Sequence, residues 1–179
     1  MITRSILLSL VICSMLPAAT TSPAPIHPGP PVARAAPKAA AEALIGRVLG
    51  ARAREFTVSI IPAADGKNVF EIESMPDGTI QLRGDNGVSI ASALNHYLKY
   101  TARCHLSWCG DQLNLPAPAP AVAKMIRMVT PHRHRVMFNY CTLSYTCAFW
   151  DWPRWERELD FLAMNGVNTP LGVLGLEGV

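Results

Sequence analysis

The chain has 179 residues, 50% of them hydrophobic, with a formal net charge of +3 and only 16% charged residues. That length suits one ordinary domain, or a small domain and part of another. A charge so dilute, with no Lys/Arg stripe, excludes a nucleic-acid footprint.

In chain order, Arg4, an apolar run over 6–16 and the small residues Ala18, Ala19, Ser22 and Ala24 have the layout of an export signal. The run falls short of the ~20 apolar residues a membrane span needs. We therefore expect a signal peptide over 1–24 and an exported protein, whether secreted, periplasmic or in a lysosome-like compartment. Residues 25–38 are rich in Pro and Ala without apolar period and read as a flexible linker. Cys13 leaves with the signal, and Ile12 stands where a lipoprotein signal wants a small residue. Cys104, Cys109, Cys141 and Cys147 remain, and sequence alone does not choose among their possible pairings. Neither "CHLSWC" nor "CTLSYTC" has a zinc spacing, and His132 and His134 have no further ligand set. We read the two histidines as solvated residues before a strand, and expect neither a metal nor a cofactor.

A helix is expected over 39–54 from Leu44, Val48 and Leu49, weakened by Gly46 and Gly50. "FTVSII", "VFEIES" and "TIQLRG" each alternate apolar with polar residues and read as half-buried strands, with turn chemistry in "ADGKN" and "MPDG". Asp85 is the expected N-cap of a helix over 86–101, with Val88, Ala91, Leu94 and Leu98 on one stripe and Tyr97 beside it. A short strand follows in "CHLSWCG" and another near "QLNLP", and "PAPAPA" then ends regular structure. Residues 39–120 thus read as a small α+β domain, an antiparallel sheet with helices on one side.

Beyond the prolines, "HRVMFNYC" reads as a strand and 153–165 as a helix, with Pro153 in its first turn and Asn165-Gly166 at its end. Trp155, Leu159, Leu162 and Ala163 form its expected buried stripe, with Glu156, Arg157 and Asp160 outward. "VNTPLGVLGL" is then apolar and extended, completing a βαβ unit. Two parallel strands do not stand alone, so 121–179 reads as the opening of a truncated (β/α)8 TIM barrel whose remainder lies further on. Such a piece should be poorly stable, with an open parallel edge and an uncovered helix stripe.

In β/α barrels, function collects where strands end and loops begin. Here that place is the aromatic stretch "NYCTLSYTCAFWDW". Asn139 and Cys141 are two apart and so share one face of the strand, and Tyr145 follows in the loop. An amide, a thiol and a phenol beside tryptophans suit a sugar. The competing reading is aromatic packing where two domains meet.

"NYCTLSYTCAFWDWPRWERELDFLAMNGVN" resembles the start of the catalytic barrel of the alpha-N-acetylglucosaminidases, glycoside hydrolase family 89. The resemblance runs through Asn139, Cys141, Thr142, Ser144, Tyr145, the Trp150-Asp151-Trp152 triplet, Trp155 to Glu158, Asp160, Asn165, Gly166 and Asn168. Leu162 departs where the family has Met. Upstream, "GVSIASALNHYLKYTARCHLSWCGDQLNLP" is similar to the family's small N-terminal domain. The resemblance implies a retaining glycoside hydrolase that releases terminal alpha-linked N-acetylglucosamine from glycans by two carboxylates. Both carboxylates would sit on later strands, so no catalytic residue is assigned within the chain, and it should be inactive alone. Glu156, Glu158 and Asp160 are expected to be solvated, and Asp151 to fix the loop. The resemblance further implies that Asn139, Cys141 and Tyr145 line the sugar pocket, with Cys141 a free thiol. A Cys141–Cys147 bridge is the alternative, and a Cys104–Cys109 bridge is left open. Glu177, in "GLEGV", is similar to a Glu in a Gly-Gln-Glu-Ala segment after the second barrel strand, although Leu176 and Gly178 depart, and it reads as pocket-adjacent. A non-catalytic carbohydrate-binding module is the runner-up function. A redox protein lacks the CxxC it would need.

Overall fold

The computed structural model describes residues 36–139, 141 and 143–171, so the expected signal and the linker as far as residue 35 lie outside the described residues. In chain order the elements are α1 (Ala36–Leu49), β1 (Phe56–Ile60), β2 (Val69–Ser74), β3 (Ile80–Gly84), α2 (Gly87–His96), β4 (His105–Ser107), β5 (Gly110–Gln112), β6 (Ile126–Val129), β7 (Val136–Met137), α3 (Trp152–Met164) and β8 (Thr169–Pro170).

Helix α1 starts inside the stretch read as linker and ends earlier than its apolar spacing suggested. Gly50 takes φ +55°, which terminates the α-helix, and a 3-10 turn over Gly50–Glu55 leads into β1. The three alternating strands form where expected, but the sheet is mixed rather than antiparallel. Its order is β1-β3-β2-β6, with β1 parallel to β3. The β2–β3 hairpin is antiparallel, and β1 joins it from the far side of β3. Strand β6 was not expected from sequence. It lies within 121–179, yet pairs antiparallel with β2 of the small domain. On one face, Val58, Leu82, Ile72 and Ile126 form a row across the strands. On the other, Glu71 lies between Arg83 and Arg127 and pairs with both.

Helices α1 and α2 cover the apolar face. Ile72, Leu82, Ile90, Ala93 and Leu94 are fully buried there, with Leu44 and Ile45 from α1. Each such Leu or Ile contributes about 1.5–3 kcal/mol relative to exposure. Gly84 is required: an added Cβ would lie 2.8 Å from the Ile90 backbone nitrogen and 2.9 Å from Ser89 Cβ. The N-cap of α2 is Asn86, not Asp85. Asn86 Oδ1 accepts from Ser89 N at 3.0 Å, while Asp85 accepts from Ser89 Oγ at 2.6 Å and Val69 N at 2.8 Å. Burial alone would raise the Asp85 carboxyl. The hydrogen bonds from Ser89, Val69, Asn68 and Asn86 outweigh it and hold the group below the ordinary carboxylate range.

The α-helix expected to reach Thr101 loosens at Tyr97 into a π turn, Tyr97–Thr101. Tyr97 is part of the core rather than beside it. Its ring meets Phe56 edge-on at 5.4 Å and its hydroxyl donates to Pro120 O at 2.7 Å. Burial, with the nearby Glu55 charge, pushes its phenol well above the usual value. β4 and β5 make a hairpin, with β5 ending on Gln112, the first residue of "QLNLP".

β7 and β8 are parallel, Val136 opposite Thr169, with α3 between them in sequence, which is the expected βαβ unit. Asp151 is the N-cap of α3, its Oδ1 accepting from Arg154 N at 3.0 Å. The buried face of α3 differs from the expected stripe. Leu162 and Met164 are buried as apolar residues, but so are Glu158 and Asp160, while Leu159 is exposed and Trp155 and Ala163 are half-buried. Helix α3 packs against α2, and Met164 enters the small domain's core.

Candidate functional site

The site is built from the end of β7 outward. Regular pairing stops at Met137, and Phe138 takes φ +73°. A left-handed conformation costs a non-glycine residue about 1–2 kcal/mol, so its surroundings must hold it. The Phe138 ring meets Trp155 edge-on at 6.5 Å, Trp155 meets Trp150 at 5.0 Å, and the Arg154 guanidinium lies 3.8 Å from the Trp150 ring centroid. This turn also corrects the reasoning about strand faces. Asn139 and Cys141 lie beyond the regular strand, so a two-residue period does not set their shared direction.

Asn139, Cys141 and Tyr145 are all exposed on the stretch that leaves β7, Tyr145 at 84% on the π turn Leu143–Cys147. Phe149 and Trp152 follow at 93% and 66% exposure. The four cysteines Cys104, Cys109, Cys141 and Cys147 are free thiols, with neither Cys141–Cys147 nor Cys104–Cys109 bridged. Cys141 is exposed. Cys147 is buried, and burial first, then the Glu158 charge, pushes its thiol up. Burial likewise raises Cys104. The accessible thiol of the stretch is therefore Cys141, while Cys147 is a packing residue. Glu177 lies outside the described residues.

The carboxylates of α3, expected in solvent, are ties to the small domain. Arg47 on α1 grips Asp160 with two hydrogen bonds, both 2.7 Å, and reaches Glu156 at 3.6 Å. The Asp160 bond and charge together raise the Arg47 guanidinium against a smaller opposing effect of burial. Glu158 has no exposed surface. Its Oε1 accepts the Trp108 indole N–H at 3.0 Å, and its Oε2 lies 2.8 Å from Arg154 Nη2. Arg157 donates to Asp111 at 2.8 Å and to Ser107 O at 3.3 Å, fastening α3 to the β4–β5 hairpin. A cavity of about 260 Å³ lies in this seam, walled by Arg47, Glu156, Arg157, Asp111 and Asp160. These carboxylates hold arginines and an indole, an arrangement for docking and not for proton transfer. Sequence could have paired Arg154 with Glu158 as helix neighbours. It carries no sign of the Trp108 contact, fifty residues upstream.

Comparison with known proteins bears on this arrangement. Residues 39–121 match the alpha-N-acetylglucosaminidase (NAGLU) N-terminal domain family, and residues 135–179 match the alpha-N-acetylglucosaminidase (NAGLU) tim-barrel domain family. Human alpha-N-acetylglucosaminidase is 41% identical over 145 residues, which is 79% of this chain and 20% of that protein. A family 89 glycoside hydrolase from Clostridium perfringens, solved with 2-acetamido-1,2-dideoxynojirmycin, superposes with a TM-score of 0.75 at 38% identity, over 80% of this chain and 17% of its own. A double Glu-to-Gln form of the Clostridium enzyme, solved with its substrate GlcNAc-alpha-1,4-galactose, gives 0.75 at 39% identity, over 78% and 16% of the two chains. This chain thus spans about a fifth or less of these relatives. It comprises their mixed α/β N-terminal domain and the beginning of their barrel, and it belongs to the alpha-N-acetylglucosaminidase family, glycoside hydrolase family 89.

Proposed function

We propose that these residues are the N-terminal part of an exported, retaining glycosidase that removes terminal alpha-linked N-acetylglucosamine from glycans. In this reading, Asn139, Cys141 and Tyr145 form one wall of the pocket for that sugar. The observation that carries it is the exposure of all three on the segment leaving the first barrel strand, in a chain of this family. An amide and a phenol supply hydrogen bonds to hydroxyls and an N-acetyl group, and Cys141 serves as a contact, not a nucleophile. The substrate of the Clostridium relative, GlcNAc-alpha-1,4-galactose, supports the choice of sugar. Both the acid/base and the nucleophile are supplied by later barrel strands, so the 179 residues alone bind at most half a pocket and do not turn over. No cofactor takes part.

The test joins residues 36–179 to the remaining barrel of the Clostridium enzyme and follows hydrolysis of an aryl alpha-N-acetylglucosaminide. Asn139→Ala and Tyr145→Phe should each lower kcat/KM by about tenfold, the equivalent of ~1.4 kcal/mol. Unchanged kinetics in both variants removes the site assignment. Hydrolysis by the 179-residue chain alone would overturn the placement of the two carboxylates.

A further inference from the structure

The first barrel strand is tied to the small domain by more than the chain between them. Arg135, the residue before β7, spreads its guanidinium over acceptors on three separate segments. Its Nε donates to Gly166 O just past α3, its Nη1 to His132 O at 2.7 Å, and its Nη2 to Asn68 Oδ1 at 3.0 Å. Asn68 precedes β2, and its Nδ2 donates to Asp85 Oδ2 at 2.8 Å. Asp85 in turn holds the start of α2 through Ser89 Oγ and Asn86 Nδ2. On the barrel side, Asn168 accepts from Arg135 N at 2.9 Å and donates to Arg133 O at 2.9 Å. The backbone nitrogens of Asn168 and Thr169 close on Arg135 O at 3.1 and 3.2 Å. An unbroken polar relay therefore runs from α2 through Asp85, Asn68 and Arg135 to β7 and β8.

What the relay holds is the base of the candidate site. Phe138, left-handed, follows Arg135 by three residues, and Asn139 comes next. A strained residue persists only where its surroundings over-determine it. A planar guanidinium bonded in three directions fixes the strand's position and rotation as a single point charge does not.

We propose that Arg135 is a positioning residue: through Asn68 and Asp85, the small domain sets the placement of β7 and thereby of the Phe138 turn that presents Asn139 and Cys141. The catalytic consequence rests on the sugar-facing reading above, but the relay is tested without sugar.

The test is amide hydrogen exchange and NMR on the 179-residue chain. Arg135→Met keeps the aliphatic stem and removes the fork. It should speed exchange about tenfold or more at Thr169, bonded to Arg135 O, and at Leu171, bonded to Met137 O. Val58 and Leu82 in the sheet should stay within about twofold. The Trp155 indole resonance should move with Phe138, and that of Trp108 should not. Arg135→Lys should not restore protection. Asn68→Ala should speed the same amides, and adding it to Arg135→Met should add little. Unchanged exchange at Thr169 and Leu171, or an increase spread evenly through the sheet, overturns the proposal. Where Arg135→Met gives no folded spectrum, Asn68→Ala decides in the same terms. Altered exchange with unaltered kinetics in the Asn139 and Tyr145 variants would sink the sugar reading and leave the relay standing.

Discussion

Removing the Glu158 carboxylate tests most severely the idea that α3 docks through its charged face. Glu158→Ala leaves the Trp108 indole N–H without its acceptor and the Arg154 guanidinium without its ion-pair partner. Loss of one partner from a buried ion pair costs about 3–5 kcal/mol. The Arg154 side chain is 32% exposed and can turn partly to water, so the lower end applies, ~3 kcal/mol. That is a large share of an ordinary folding free energy of about 5–15 kcal/mol. At roughly 2–4 °C per kcal/mol, Tm should fall by about 6–12 °C. Glu158→Gln keeps an acceptor for the indole and loses only the charge, so it should cost less, about 1–2 kcal/mol. Urea unfolding followed by far-UV circular dichroism measures all three proteins. A Glu158→Ala chain within about 0.5 kcal/mol of the parent would show that the face is not held by this pair.

Two further outcomes follow from the small domain. The Asp85 carboxyl is depressed in the fold, so its stabilisation is complete above the ordinary carboxylate pKa of about 3.9 and is lost as pH falls through the lower folded value. Asp85→Asn should therefore lower stability at pH 7 and flatten the acid limb below about pH 4, and an unchanged acid limb in urea titrations would contradict this. Gly84→Ala should destabilise by about 1–3 kcal/mol, because the new Cβ meets backbone at Ile90 that cannot rotate away; a neutral result would mean that α2 shifts freely on β3.

The strands β1, β2 and β3 were legible because alternation reports directly on a half-buried sheet. Their order was not: alternation is the same whether β1 runs parallel or antiparallel to β3. Strand β6 escaped because it is four residues long: Ile126 and Arg127 do face opposite ways, but so short an alternation beside a Pro-rich break marks no strand until β2 pairs with it. Helix α3 was legible as a helix but its burial was misread. Glu158 and Asp160 look solvated until Trp108 and Arg47, distant in sequence, come beside them. Apolar Leu159, by the same token, is exposed. Along the candidate site, sequence picked out the exposed stretch after β7 but assumed a straight strand through it. Nothing in "VMFNYC" marks Phe138 for a left-handed turn, since the usual signal for positive φ is glycine.

The most direct test of the sugar-facing claim uses two exposed thiols, Cys141 and Cys109. In residues 36–179 joined to the Clostridium barrel, alkylation of each is timed with and without saturating N-acetylglucosamine. Occupancy of a pocket walled by Cys141 should slow its modification at least about tenfold and leave Cys109 unchanged. Equal rates at Cys141 with the hexosamine bound would mean that this stretch faces away from the sugar.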